Sequence, residues 1–306
     1  MENNKQGVVL VGFGSGRGSD EGMAFPKYVG ISPVNIVAIN PNKAELEKIF
    51  PGRTYDSEPS YVIEEAGKAP QIRVDVYVKT VKDYCGVEII TPHTFFVTKE
   101  TRFNANKDKM QVLNAYGESL WVTKEEFEKG ALPEYKMRPN ASPYALPYKP
   151  AMVGEEDLID FIRVFLSIPN PTYFKKDTNE WFLKEGDELK GCMSSFSNED
   201  IEAMFKGNFK SLVDTLMQQP NNKYKACFGV RTVEDDKGAR KEYQTVCRVP
   251  IRYRVTDYTK FDARLSDLKA NGAYANVEFG EYPYMFKEYT VKPTEVKQAP
   301  VAKTPW

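Results

Sequence analysis

The sequence predicts an α+β fold: an OB-like β-barrel core over residues 31–290, a helical insertion at 123–222, and flexible termini at 1–30 and 291–306. Three observations carry that expectation. Residues 72–79 alternate strictly, with Ile72, Val74, Val76 and Val78 on one parity and Arg73, Asp75, Tyr77 and Lys79 on the other. That is the period of a half-buried strand. Short β-branched and aromatic runs with polar turns fill the stretch to residue 122 and return after 223, the texture of a small barrel or sandwich. Between them the pattern switches to helix-start signals and proline stops.

The opening segment contains Gly12-Phe13-Gly14-Ser15-Gly16-Arg17-Gly18 after Val8-Val9-Leu10-Val11. A dinucleotide fingerprint needs G-x-G-x-x-G opening a helix, and a P-loop needs Gly-Lys-Ser/Thr. Arg17 stands where the last glycine belongs and the following SDEGMAFPKYVG is a poor helix, so this is read as an arm. Order is expected near residue 31. Val34, Ile36 and Ala38 alternate with Asn35, Val37 and Ile39, and Pro41-Asn42-Lys43 opens a short helix over Ala44–Phe50, stopped by Pro51-Gly52. Residues 86–98 continue as strand, Arg102-Phe103-Asn104 enters a polar turn, and Met110–Tyr116 and Ser119–Val122 read as two further strands.

Thr123-x-x-Glu126 is a capping box. Five prolines between 133 and 150 mark an extended segment. Gly154-Glu155-Glu156-Asp157 then begins a helix with Leu158, Phe161, Ile162 and Phe165 at helical spacing and acids at its N-terminal end, where the helix dipole favours them. Ser197-Asn198-Glu199-Asp200 caps another helix, and Phe209–Gln218 a third. Tyr224–Val233 and Glu242–Val255 are expected as strands around a polar hairpin loop. Residues 256–272 read as mixed or helical, and Val277–Tyr289 as extended.

Several function classes are disfavoured by composition. The lone His93 and the isolated Cys85, Cys192, Cys227 and Cys247, without a C-x-x-C pair, do not make a zinc site. His93 is expected as a packed or partly exposed side chain rather than a general base, and no metal or cofactor is expected. Cys227 and Cys247 are placed on facing strands and expected reduced. Without a hydrophobic leader or an 18-residue apolar run, a soluble cytoplasmic protein with no membrane partner is expected. Asp75 and Glu88 beside Lys79 or Lys99 lack the specific spacing of a metal nuclease, so no enzyme is expected.

The net charge of −1 hides segregation: residues 1–122 carry −1, residues 123–222 carry −5 and residues 223–306 carry +5. Within the basic part, Arg248, Arg252 and Arg254 share one parity and Val249, Ile251, Tyr253 and Val255 the other, so a strand here would aim three guanidiniums outward. Lys225 and Arg231 share a parity on the preceding strand. Guanidinium forks fit phosphate oxygens, and exposed bases stack on aromatic rings. The candidate nucleic-acid-binding residues are therefore Arg73, Tyr77, Lys79, Arg102, Phe103, Trp121, Lys225, Arg231, Arg248, Arg252 and Arg254. A solvated sheet face that only confers solubility is the plain alternative.

The order Val34–Pro41, Arg73–Lys79, Gly86–Ile90, the hairpin Asn104–Trp121 and Gly154–Leu158 through Pro169-Asn170-Pro171 resembles the single-stranded DNA-binding proteins of tailed-phage replication modules, which are built on an OB-like barrel. The resemblance implies a replication or recombination protein in the host cytoplasm that coats unwound DNA without sequence preference and self-associates on it. It also implies replication partners such as polymerase or helicase, recruited in many such proteins by an acidic tail. Here the tail is mildly basic, and the acidic insertion is the candidate substitute. A virion or assembly protein with mobile arms is the alternative.

Overall fold

The computed structural model describes residues 27–81, 88–114, 119–129, 148–166, 173–175, 180–182, 198–217, 224–234, 238, 240–279 and 287–289. The Gly-rich arm up to residue 26, Cys85, Cys192 and the tail from 290 onward lie outside them. A ten-stranded antiparallel sheet dominates. Its main path runs β12 (Arg240–Val246), β11 (Tyr224–Glu234), β1 (Lys27–Ile39), β3 (Gln71–Thr80), β4 (Ile90–Thr101) and β8 (Met152–Val153). Short strands complete it: β2 (Val62–Ile63) on β3, β13 (Ile251–Arg252) and β14 (Val277–Phe279) on β11, and β15 (Lys287–Tyr289) on β1. The sheet curls until β12 lies beside β4, but no ladder joins them among the described residues. The expected barrel is therefore not a closed one.

The concave face holds the main core. Ile72, Val74, Val76 and Val78 point into it as their alternation requires, and meet Phe95, Val97, Tyr224, Ala226 and Phe228 from neighbouring strands. Helix α3 (Glu155–Phe165) lays Leu158, Phe161, Ile162 and Phe165 on this face, as its periodicity predicts. Helices α4 (Asn198–Phe205) and α5 (Lys210–Met217) close it with Ile201, Met204, Leu212 and Leu216.

The insertion is mixed rather than wholly helical. Strands β5 (Met110–Asn114) and β6 (Ser119–Val122) form a separate three-stranded sheet with β7 (Tyr148–Pro150), which lies within the 123–222 insertion at the end of its proline-rich extended segment. Helix α2 (Lys124–Glu128) starts on the Thr123/Glu126 capping box. A hairpin of β9 (Tyr173–Lys175) and β10 (Glu180–Phe182) also lies there.

Two departures from strict alternation matter for the site. Strand β1 bulges between Ile36 and Ala38. One extra residue reverses the side-chain phase. Val34 and Ile39 therefore both reach the main core, while Val37 and Ala38 turn to the opposite face. That face is not solvent. Helix α1 (Lys43–Ile49), started by the Asn42/Glu45 capping box, covers it with Leu46 and, just beyond, Phe50. Tyr77 lies under this cover at 2% exposure, edge-on to Phe50. The outward position expected for Tyr77 is thus corrected: its parity is opposite to the main core, but that side carries a second apolar layer.

The second departure is at the C-terminal end of the sheet. The expected continuous strand through Val255 ends at Val246; residues 248–249 bend, Ile251–Arg252 is a two-residue strand, and Tyr253 and Arg254 form a turn. Val249 and Ile251 join Cys227, Cys247, Phe261 and Leu265 in another core, under helix α6 (Thr259–Ala270). Cys227 and Cys247 are adjacent across the ladder, with the Cys247 amide donating to the Cys227 carbonyl at 2.8 Å; both are buried free thiols. Burial raises the pKa of the Cys247 thiol, which holds it as the unreactive thiol.

Candidate nucleic-acid interface

Helix α3 organises the charged side chains as well as the core. At 100° per residue, Glu156, Asp157, Asp160 and Arg163 fall on the arc opposite the buried Leu158, Phe161, Ile162 and Phe165. Gly154 fixes where that helix begins, in a left-handed conformation with φ 84°. Arginines from three distant parts of the chain converge on the charged arc. The Arg102 guanidinium donates to Glu156 at 2.7 Å. Arg248 lies 3.4 Å from Asp157, Arg264 lies 3.2 Å from the other oxygen of Asp157, and Arg264 also binds Asp160. Arg252 is in the electrostatic range of both Arg163 and Asp160.

The band thus holds five guanidiniums, Arg102, Arg163, Arg248, Arg252 and Arg264, against three carboxylates, Glu156, Asp157 and Asp160. Burial works to raise the pKa of Glu156, but hydrogen bonds from Gln111, Ser119 and Arg102 hold it below the usual carboxylate value. Burial raises that of Asp157, against the pull of Arg248 and Arg264. Burial and the neighbouring Arg163 lower that of Arg252, with Asp160 opposing.

One end of the band is aromatic. The Arg102 guanidinium lies over the Trp121 ring, 5.6 Å from its centroid, while Trp121 pairs with Gln111 on the β5–β6 ladder. The next residue, Phe103, is 47% exposed where it bridges to Met110. At the other end Tyr253 and Arg254 are exposed in the turn after β13. Of the residues singled out in the sequence, Arg102, Arg248 and Arg252 therefore meet the charged arc of α3, with Trp121 and Phe103 next to Arg102 and Arg254 two residues beyond Arg252. The expected row of three co-facial arginines on one strand is corrected: Pro250 and the bends around it break the strand, Arg248 and Arg252 face the carboxylates of α3, and Arg254 is exposed in the turn.

The remaining candidates lie elsewhere. The Lys225 ammonium donates to the Val255 carbonyl at 2.8 Å and to the Tyr258 hydroxyl at 3.1 Å, beneath the C-terminal core. Arg231 is exposed farther along β11, between Tyr243 and Val277. Lys79 pairs with Glu88 at 3.4 Å. Arg73 lies on the face of the sheet away from α3, beside Asp75. Asp75 is occupied by Arg73 and by the Thr94 hydroxyl at 2.8 Å. Among the described residues no group of three or more His, Cys, Asp or Glu is placed to hold a metal ion.

Sequence reasoning missed Arg163, Arg264 and Phe96. Arg163 was legible, since it shares a helical face with residues 156 and 160. Phe96 was legible too, because adjacent Phe95 and Phe96 on one strand must point to opposite faces. Nothing local marks Arg264, whose role depends on where α6 docks. His93, expected as packed or partly exposed, is fully buried at the seam between β4 and β12. Comparison with protein-family models, with curated proteins and with solved structures found no match to this chain. No helix among the described residues is long and apolar enough to cross a membrane.

Proposed function

We propose that this chain binds single-stranded DNA without sequence preference, coating unwound strands in phage DNA replication or recombination. The single observation that carries the reading is the gathering of Arg102, Arg163, Arg248, Arg252 and Arg264 along α3 with Trp121 and Phe103 at its end. Guanidinium forks track phosphates, and aromatic rings accept bases that only a single strand offers. The curled antiparallel sheet is read as an opened OB-like barrel, and the resemblance to tailed-phage single-stranded DNA-binding proteins points the same way. In this reading the acidic middle segment offers a surface to polymerase or helicase, and neighbouring copies associate along the strand.

The test is fluorescence anisotropy with labelled oligo-dT and a duplex of equal length, across a salt series. Preference for the single strand and a steep fall in affinity with salt are expected, because each neutralised phosphate releases counterions. Arg252→Glu with Arg254→Glu, at partly exposed and exposed positions, is expected to weaken binding at least tenfold with unchanged circular dichroism. Equal binding of duplex and single strand, or affinity indifferent to salt, would end the proposal.

A further inference from the structure

We infer that Phe96 is a nucleobase-stacking position, with Arg73 across the ladder as its phosphate neighbour, on the face of the sheet opposite helix α3. This rests on the single-stranded DNA reading above. Phe95 packs against Phe161 of α3 with ring centroids 4.9 Å apart, so the next side chain along β4 leaves by the other face. There Phe96 is 46% exposed, among the few large apolar side chains outside any core. Its direct cross-strand partner is Arg73, and such partners hold their Cβ atoms about 5 Å apart. Val153, on the same face through its pairing with Thr98, extends the apolar surface at 41% exposure.

Arg73 is held in place yet keeps its donors. Its guanidinium lies over the Tyr61 ring, 5.3 Å from the centroid. Its Nε is 3.1 Å from Asp75 but out of line for a hydrogen bond. The guanidinium donates no hydrogen bond to another described residue. An exposed flat ring beside a fixed guanidinium with unused donors matches one nucleotide unit, a base joined to an anionic phosphate. A strand that also touches the arginine band must pass around the β4–β8 edge. Because Asp75 offsets the charge of Arg73, the site contributes stacking and little salt dependence.

The experiment compares oligo-dT with an equally long strand carrying abasic sugars, against wild type, Phe96→Ala and Phe96→Trp. Phe96→Ala is expected to weaken oligo-dT binding about 5- to 100-fold, to leave the salt slope unchanged, and to change abasic-strand binding little. Phe96→Trp is expected to restore affinity for oligo-dT. A Phe96→Ala protein that binds oligo-dT like wild type overturns the inference but leaves the arginine reading standing. So does an equal loss on the abasic strand. If Phe96→Ala changes only the sedimentation coefficient of the free protein, the patch is a contact between copies and the inference fails. A wild-type chain that binds neither oligonucleotide ends both.

Discussion

His93 shows how a residue with catalytic reputation becomes structural when the fold dries it out. Its Nδ1 is 2.9 Å from the Tyr224 hydroxyl, its ring lies among Phe95, Phe161 and Tyr224, and its Nε2 turns to the backbone at Cys247–Arg248 without a well-aligned hydrogen bond. Burial lowers its pKa from 6.5 to about 3, and the nearby carbonyls of Arg248 and Cys247 recover only part of that. The unfolded chain takes up a proton near pH 6.5 and the folded chain does not until about pH 3. The stability contribution is therefore complete above pH 6.5 and is lost as pH falls through the interval, at about 1.4 kcal/mol per unit. Buried Asp75 and Asp157, whose pKa values are raised, act with the opposite sign in the carboxylate range. Urea midpoints measured between pH 7.5 and 5 are expected to fall with a slope of about one proton. The same series on His93→Gln should be flatter, whatever its absolute stability; an unchanged slope would assign the proton elsewhere. The lone histidine was expected to be packed or partly exposed rather than a general base, since composition offered no second metal ligand; its complete burial was not legible locally. Tyr77 was harder. Its parity was legible, but nothing in residues 72–79 indicates that α1 covers that face.

At the scale of elements, what was legible was local. The Thr123/Glu126 capping box, the apolar stripe of α3 and the strict period of β3 are encoded within a few residues of themselves, and each formed as expected. The bulge in β1 and the break after Val246 depend on partners far along the chain, so period counting ran straight through them. Gly154 joins the two kinds of information. It ends the β8 turn and starts α3 with φ 84°, and a Cβ added there would sit 1.9 Å from the Phe96 carbonyl oxygen. Gly154→Ala must therefore both accept a left-handed backbone and push two main chains apart, at a cost of about 2–5 kcal/mol. Gly52, with φ 89° and nothing within 4 Å of the added atom, is the control. Gly52→Ala is expected to cost about 1 kcal/mol. Denaturant midpoints of the two variants separate backbone preference from steric overlap. Equal losses would mean that the chain relaxes freely around Phe96.

Over the whole molecule the two halves of the charge segregation meet each other. The acidic middle segment supplies Glu156, Asp157 and Asp160, the basic C-terminal part supplies Arg248, Arg252 and Arg264, and the N-terminal part supplies Arg102. Part of the −5 and +5 read from the sequence is thus neutralised inside the fold, which segment counting could not show. Under the proposed single-stranded DNA reading, the carboxylates of α3 would compete with DNA phosphates for the same guanidiniums. Asp160 is the more exposed of the two that bind Arg264, and it also faces Arg252. Asp160→Asn keeps the shape and removes one competing charge. Oligo-dT affinity is expected to rise several-fold at low salt. The slope of log affinity against log salt is expected to steepen by about 0.7 for each phosphate newly engaged. The cost in stability should be small, because Asp157 still holds Arg264 and the pair is partly solvated. Weaker binding with an unchanged slope would mean that Asp160 orients Arg264 for DNA rather than shielding it, and that the intact ion-pair array presents the arginines.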